Sequence, residues 1–376
     1  MKNIAIIQPL KYTDIRQDKL IKSFFEKGYK VHIIYSKENS VGTTKSMYLD
    51  ISEKIEFYNI ETKIPVNIPF NFYRNIRVNK IIEKINPNIV ICRDIFMSGF
   101  IKKNHMYKSY IDICDNFPEV LECLVKNPLN KIAKNIANYY EKKAIQKFKY
   151  SIFVSNNSVD YILKKHSLND INYFVLENVP NKRELGFVKN KRELDFVYIG
   201  TINKKIRDIE TVINAIEYST HKGFNITFDL YFFKHQIDII NEYKKIVEVK
   251  NLQSNIKFYE AVQLNQLPNI LSKYKCGLVP HCRNKATDYT IPNKLYDYLQ
   301  QGMNVLTSDN PSLIKFADEL NITQYYKGGN YKSLSKVMIN LVNRQHNIDN
   351  KKGKEIINKF LNWENYFEEL YKWMEE

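Results

Sequence analysis

Short β-branched runs alternate with longer segments of helical period twice over along this chain. That alternation permits little besides parallel sheets with helices packed on their faces. In the first series a strand at residues 4–7 leads through a polar loop to a helix over about 18–27, which Gly28 ends, and then to a strand at 29–35. Further strands are expected at 55–60, 89–92, 109–113, 151–154 and 173–176. The longest helix, Leu129–Lys147, carries Ile132, Ile136, Tyr139, Tyr140, Ala144 and Phe148 on one side at helical spacing, which reads as a core-facing stripe.

A charged stretch over 181–194 holds two short similar copies, KRELGFVKN and KRELDFVYI, too few for a repeat architecture, and reads as a linker. A second series then begins: strand 195–199, helix 208–218, strand 226–233, a helix after Gln236, strand 256–258, helix 264–273, strand 276–280 and strand 304–307. A last helix over about 354–376 has an apolar face at Phe360, Trp363, Phe367, Leu370, Tyr371 and Met374 and an acidic opposite face, which favours docking within the protein. With 376 residues the chain exceeds one ordinary core. The division is into residues 1–180, a linker at 181–194, residues 195–355, and a final helix at 356–376.

The net charge of +16 predicts an anionic partner: nucleic acid, phospholipid headgroups or a phosphorylated ligand. It does not choose among them, and Lys131, Lys134, Lys142, Lys143 and Lys147 also suit a solvated helix face. No apolar run approaches the length of a bilayer span, and the opening MKNIAIIQPL lacks the pattern of a signal peptide, so a cytoplasmic protein is expected. Five scattered cysteines without CxxC spacing point to reduced thiols. His281 and Cys282 have no third ligand at plausible spacing, and no metal site is expected.

Two segments carry chemistry. In DYTIPNKLYDYLQQG, residues 288–302, a polar loop runs into a helix opening at Pro292, bearing an acid at Asp297 and stopping at Gly302. Proline suits a first helical position and glycine the position past the end, so this helix start offers defined N–H groups to a phosphate. In DFVYIGTINKKIRDIETVI a strand enters Gly200 and Thr201, then a loop with Lys204, Lys205 and Arg207, then a helix capped by Asp208. A backbone approach at Gly200 and the planar fork of Arg207 suit a diphosphate. Neither GxGxxG nor a phosphate-loop GxxxxGK motif is present, which excludes the usual dinucleotide and ATPase signatures.

The order YIGTINKKIRDIE, IKFYEAVQLNQLPNILSKYKCGLVPH, DYTIPNKLYDYLQQGMNVLTSD resembles the donor-binding domain of GT-B glycosyltransferases, in particular the retaining family four enzymes of bacterial surface polysaccharide synthesis. TDIRQDKLIKSFFEKGYKVHIIY, IVICRDIFMSGF, YIDICDNFPE and LENVP resemble that family's N-terminal domain, and WENYFEELYKWM is similar to the helix that crosses back onto it. The resemblance implies an α/β protein of GT-B fold, two Rossmann-like domains with parallel sheets facing a central cleft, an acceptor domain followed by a nucleotide-sugar domain.

Carried over position by position, the resemblance places Gly200, Thr201, Lys205, Arg207, Tyr259, Glu260, Tyr289, Thr290, Pro292, Asn293, Lys294 and Asp297 at the donor, with Asp297 on the ribose hydroxyls. Asp14, Arg16, Arg93, Asp94 and Cys114 fall on the acceptor side. Asp112 and Asp115, with Arg207 and Lys294, are the implied catalytic groups. Four positions depart from the family pattern. Tyr289 and Asp297 stand where two glutamates eight apart are usual, and Asp288 replaces the first only if the loop shifts by one. Thr201 stands for an arginine, and Cys114 for a histidine. Asp115 also has a bland reading as a helix cap, and Arg93 with Asp94 as a strand-end pair.

The implied reaction is sugar transfer from a nucleoside-diphosphate sugar to a hydroxyl, with retention and without metal or other cofactor. Charge and family habit extend this to a glycan or polyprenyl-diphosphate-linked acceptor at an anionic membrane surface, the protein lying on the inner face of the membrane. The rival readings are a sugar-nucleotide 2-epimerase of the same fold and a basic nucleic-acid-binding protein. No nucleic-acid motif supports the latter.

Overall fold

The computed structural model describes residues 2–12, 14–38, 54–61, 72–102, 106–182, 192–343 and 350–376. The chain divides into two compact units, Met1–Glu177 with Tyr366–Glu376, and Asn178–Asn365. Residues 183–191, the body of the expected linker and nearly all of its first sequence copy, lie outside the described residues.

The first unit runs β1 Lys2–Leu10, α1 Ile15–Glu26, β2 Tyr29–Lys37, β3 Glu56–Asn59, α2 Phe72–Ile85, β4 Ile89–Cys92, β5 Lys108–Ile113, α3 Phe117–Leu124, α4 Leu129–Lys147, β6 Tyr150–Phe153, α5 Asn156–His166 and β7 Asn172–Val175. Its sheet has the order β3-β2-β1-β4-β5-β6-β7, parallel throughout. Ile4, Ala5, Ile6 and Ile7 are all fully buried, the mark of a central strand covered on both faces. Asp14 starts α1 by accepting from the Gln17 N–H (2.8 Å), and Gly28, at φ +81°, ends the turn that follows it.

The second unit runs β8 Leu194–Ile199, α6 Ile209–His221, β9 Phe228–Phe232, α7 Ile237–Val249, β10 Ile256–Glu260, α8 Leu267–Leu271, β11 Tyr274–Val279, α9 Asn293–Gln300, β12 Asn304–Ser308, α10 Pro311–Leu320, β13 Gln324–Tyr326, α11 Tyr331–Asn343 and α12 Lys351–Lys359. Its parallel sheet has the order β10-β9-β8-β11-β12-β13. In each sheet the order reverses beside its first strand, between β1 and β4 and between β8 and β11. Such a reversal opens a crevice at the carboxyl ends of the strands, where α/β proteins bind ligands.

The expected strands recur within about two residues, and three helix readings need correction. The stripe on α4 is core only in part: Ala144 and Phe148 are buried and Tyr140 half-buried, but Ile132 is 57% and Tyr139 54% exposed, and Ile136 is exposed too. The helix turns Ala137, Glu141, Ala144 and Ile145 inward, because Glu141 finds Lys165 Nζ (2.6 Å) and His166 Nε2 (2.7 Å) on α5. The single helix expected at 354–376 is two, α12 and α13 (Trp363–Glu375). Buried Asn362 divides them, donating back to the Asn358 carbonyl (3.1 Å) and accepting from the Asn365 N–H (3.1 Å). The helix expected at 264–273 shrinks to α8 after a 3₁₀ turn at Leu264–Gln266, since Pro268 belongs to a first helical turn.

Candidate functional site

In the second unit four of the expected donor residues, Gly200, Thr201, Arg207 and Lys294, come together at the end of β8. Tyr198 is fully buried on β8, and its hydroxyl is a hub. Arg207 Nε donates to it (3.1 Å), Lys294 Nζ donates to it (3.4 Å), and it donates to the Thr201 carbonyl (2.6 Å). The Lys294 ammonium also lies 4.8 Å from the centroid of the Tyr198 ring. Gly200, at φ +140°, lets this happen, because a Cβ there would meet Lys294 Nζ at 3.1 Å. Among the described residues neither Arg207 nor Lys294 has a carboxylate in ion-pair contact. Loss of hydration, then the Arg207 charge, pulls the Lys294 pKa well below that of an ordinary lysine, with Asp297 opposing.

His281 follows β11 and bridges to Arg207 through backbone pairing. It is 2% exposed, and both ring nitrogens lack a hydrogen-bond partner. Burial, then Arg207 and Lys294, hold its pKa well below normal, so the ring is neutral. Two cations and an unsatisfied imidazole therefore line one spot. An incoming anion would meet both cations.

The helix starts differ. Asp208 caps α6 by accepting from Thr211 N–H (3.1 Å), so that terminus already holds a carboxylate. Pro292 stands at the cap of α9 in an extended conformation without a side-chain cap, one residue before the helix, and Asn293 is the first helical residue. The α9 start therefore keeps its N–H groups for a ligand. Lys294 and half-buried Asp297 are three apart, on one helix face. Asp288 accepts from Arg283 Nε (3.0 Å) and Asn310 Nδ2 (2.7 Å), which ties it into the loop. Tyr289 and Thr290 are half-buried in that loop. Lys205 and Glu260 are exposed, and Tyr259 stacks on Tyr231 with centroids 5.1 Å apart, a partly open aromatic face at the end of β10.

In the first unit Asp112 is closed off by two arginines. It accepts from Arg16 Nε (3.2 Å) and Nη2 (2.8 Å) and from Arg93 Nε (3.1 Å). Arg93 Nη2 also donates to Asp14 (3.0 Å), and Arg16 Nη1 donates to the Leu176 carbonyl (2.6 Å). Although burial opposes ionisation, the two guanidinium groups hold the Asp112 pKa below the ordinary carboxylate range. The geometry makes Asp112 the anchor of Arg16 and Arg93. Asp94 accepts from the Met97 N–H (2.7 Å), so it starts the 3₁₀ turn Met97–Phe100.

Asp115 does not cap α3, whose cap residue is Asn116. Its surface is exposed, yet loss of hydration, then repulsion from Asp14, lifts its pKa to about 6. The neighbouring Cys114 thiol is pushed by burial, then by Asp112, up to about 12 and remains protonated. Of the carboxylates around Arg16 and Arg93, Asp115 is thus the one both reachable and ready to accept a proton near neutrality.

Sequence reading missed Tyr198 and His281 as site residues. Tyr198 reads as one more apolar position of a strand, and His281 as packing.

No protein-family profile and no curated protein matches this sequence. Solved structures do match over the full chain. A sucrose-phosphate synthase from Thermosynechococcus elongatus aligns at 12% identity over 99% of this chain and 98% of its own, with a TM-score of 0.76. A glycosyltransferase from Rickettsia africae aligns at 11% identity over 100% and 98%, TM-score 0.72. HepE from Anabaena, solved with UDP and glucose, aligns at 9% identity over 100% of both chains, TM-score 0.70. The chain has the GT-B fold.

Proposed function

We propose that this protein is a glycosyltransferase moving a sugar from a nucleoside-diphosphate donor, held by the second unit, to a hydroxyl acceptor held by the first. The observation that carries the reading is the Arg207–Tyr198–Lys294 cluster, two cations with no carboxylate in ion-pair contact among the described residues, at the strand ends beside an uncapped helix start. HepE has been solved with UDP and with UDP-glucose, which supports a nucleotide sugar as the ligand.

The bond between the anomeric carbon and the β-phosphate oxygen breaks, and a bond to the acceptor oxygen forms. Arg207, Lys294 and the N–H groups at Asn293 stabilise the charge growing on the departing diphosphate, work that a divalent cation does in other transferases. Asp297 takes the ribose hydroxyls and Tyr259 the base. Asp115 accepts the acceptor's proton, and Arg16 and Arg93, fixed by Asp112, orient the acceptor. Configuration is retained and no metal takes part. The acceptor is a lipid-linked or growing surface glycan, met at an anionic membrane; no described helix is long and apolar enough to cross a membrane.

A thermal-shift panel of UDP-, GDP-, dTDP- and CMP-sugars tests the donor site. One nucleotide class should stabilise the chain, and Arg207→Ala should abolish the shift. A panel without any stabilising member would overturn the reading.

A further inference from the structure

We propose that the outward face of α4 is a docking surface for an anionic lipid bilayer. It deepens the lipid-linked acceptor reading and rests on it for its purpose. Leu129, Ile132, Ile136 and Tyr139 recur at helical spacing along the side of α4 turned away from its core residues, and are 60%, 57%, 47% and 54% exposed. Leu124, at the end of α3, extends the patch. Single exposed apolar side chains are ordinary, but five lined up on one helical hairpin are not.

The border of the patch is cationic. Lys126, Lys131, Lys142 and Lys143 are exposed, and the Lys143 ammonium sits 5.0 Å above the Tyr139 ring. Glu141 is the one carboxylate between residues 123 and 143, and it is buried against Lys165 and His166. Nearby Glu122 is held by Lys134 (2.5 Å). Aliphatic residues, a tyrosine and a lysine rim suit the boundary between acyl chains and anionic headgroups. A second copy of the same face would instead bring lysines against lysines.

Position supports the same occupant. α3 starts at Phe117, two residues past Asp115, and its eight residues span about 12 Å to Leu124. The patch thus begins one short helix from the candidate acceptor residue.

The test is co-sedimentation of the full chain with vesicles of phosphatidylcholine alone or mixed with phosphatidylglycerol. Binding is expected only to the mixed vesicles and should weaken with salt. Ile132→Asp with Ile136→Asp, and separately Lys142→Glu with Lys143→Glu, should each reduce partitioning about tenfold or more. Val249→Asp, 82% exposed in the second unit, should leave it unchanged. Melting curves and the nucleotide thermal shift of each variant report folding and the donor site separately. Binding without any nucleotide shift would sink the transfer reading and leave the docking face standing. Equal sedimentation of the Ile132/Ile136 variant, or no wild-type binding to the mixed vesicles, overturns the docking face. So does a dimer that these substitutions dissolve, which would assign the patch to a second copy.

Discussion

Tyr298 occupies the space that a side chain on Gly277 would fill: a Cβ at Gly277 would come within 2.1 Å of the Tyr298 ring. That gap lets α9 lie close on β11, with the Tyr298 hydroxyl accepting from the Ile199 N–H (3.2 Å). Gly277→Ala must displace α9, and Lys294 with it. The expected cost is about 2–3 kcal/mol, read by chemical denaturation, together with a weakened nucleotide thermal shift.

Lys294 has a depressed pKa in the unliganded protein, and a diphosphate beside it restores the ammonium. Nucleotide binding at mildly alkaline pH should therefore take up a proton, seen as a calorimetric enthalpy that changes with the ionisation enthalpy of the buffer. Lys294→Met should lose that dependence and about 1.5–3 kcal/mol of affinity, roughly ten- to hundredfold. A buffer-independent enthalpy in the wild type would contradict the assignment.

Asp112 neutralises two buried arginines. Asp112→Ala takes from both arginines the buried carboxylate they share, leaving Arg93 its pairing with Asp14, and should cost about 3–5 kcal/mol. Because its folded pKa is depressed, its contribution is fully present above the ordinary carboxylate range and is lost as pH falls through the folded value. The stability gap between wild type and variant should accordingly narrow in acid, as urea titrations at several pH values would record.

Asp115 behaves with the opposite sign. Its raised pKa means that the folded chain binds a proton between the unfolded carboxylate value and about 6, so ionisation opposes folding above that pH. Asp115→Asn should melt no lower than wild type near neutrality, yet transfer sugar about a hundredfold or more slowly. A purely structural carboxylate would not separate the two measurements.

Sugar transfer should survive EDTA, since Arg207 and Lys294 supply the charge at the leaving diphosphate. A rate restored only by added magnesium or manganese would reassign that role.

How far the site was legible depended on how local each signal was. Gly200, Arg207 and the Asp208 cap stand within one loop, so their pattern shows in a single stretch of sequence. Tyr198 and His281 matter only because β8 and β11, distant in sequence, lie side by side in the sheet. The strand runs were readable because a strand covered on both faces must be apolar throughout, as Ile4–Ile7 are. The facing of α4 was not, since it turns on Glu141 meeting Lys165 and His166 from the next helix. Asn362 was readable in principle as a cap, but the aromatic period on both sides of it masked the break.

The two ends of the second unit meet, with the Trp363 N–H donating to the Pro180 carbonyl (2.9 Å). The second unit is thus an insertion within the first, whose last part is residues 366–376. Phe367 packs edge-on against Phe24 (5.1 Å), and Trp373 against Tyr110 (5.6 Å). During synthesis the ribosome makes β1 and α1 before the second unit and the residues that cover Phe24 after it. The N-terminal sheet must therefore wait, with an aromatic surface uncovered, while a whole second unit is translated and folds.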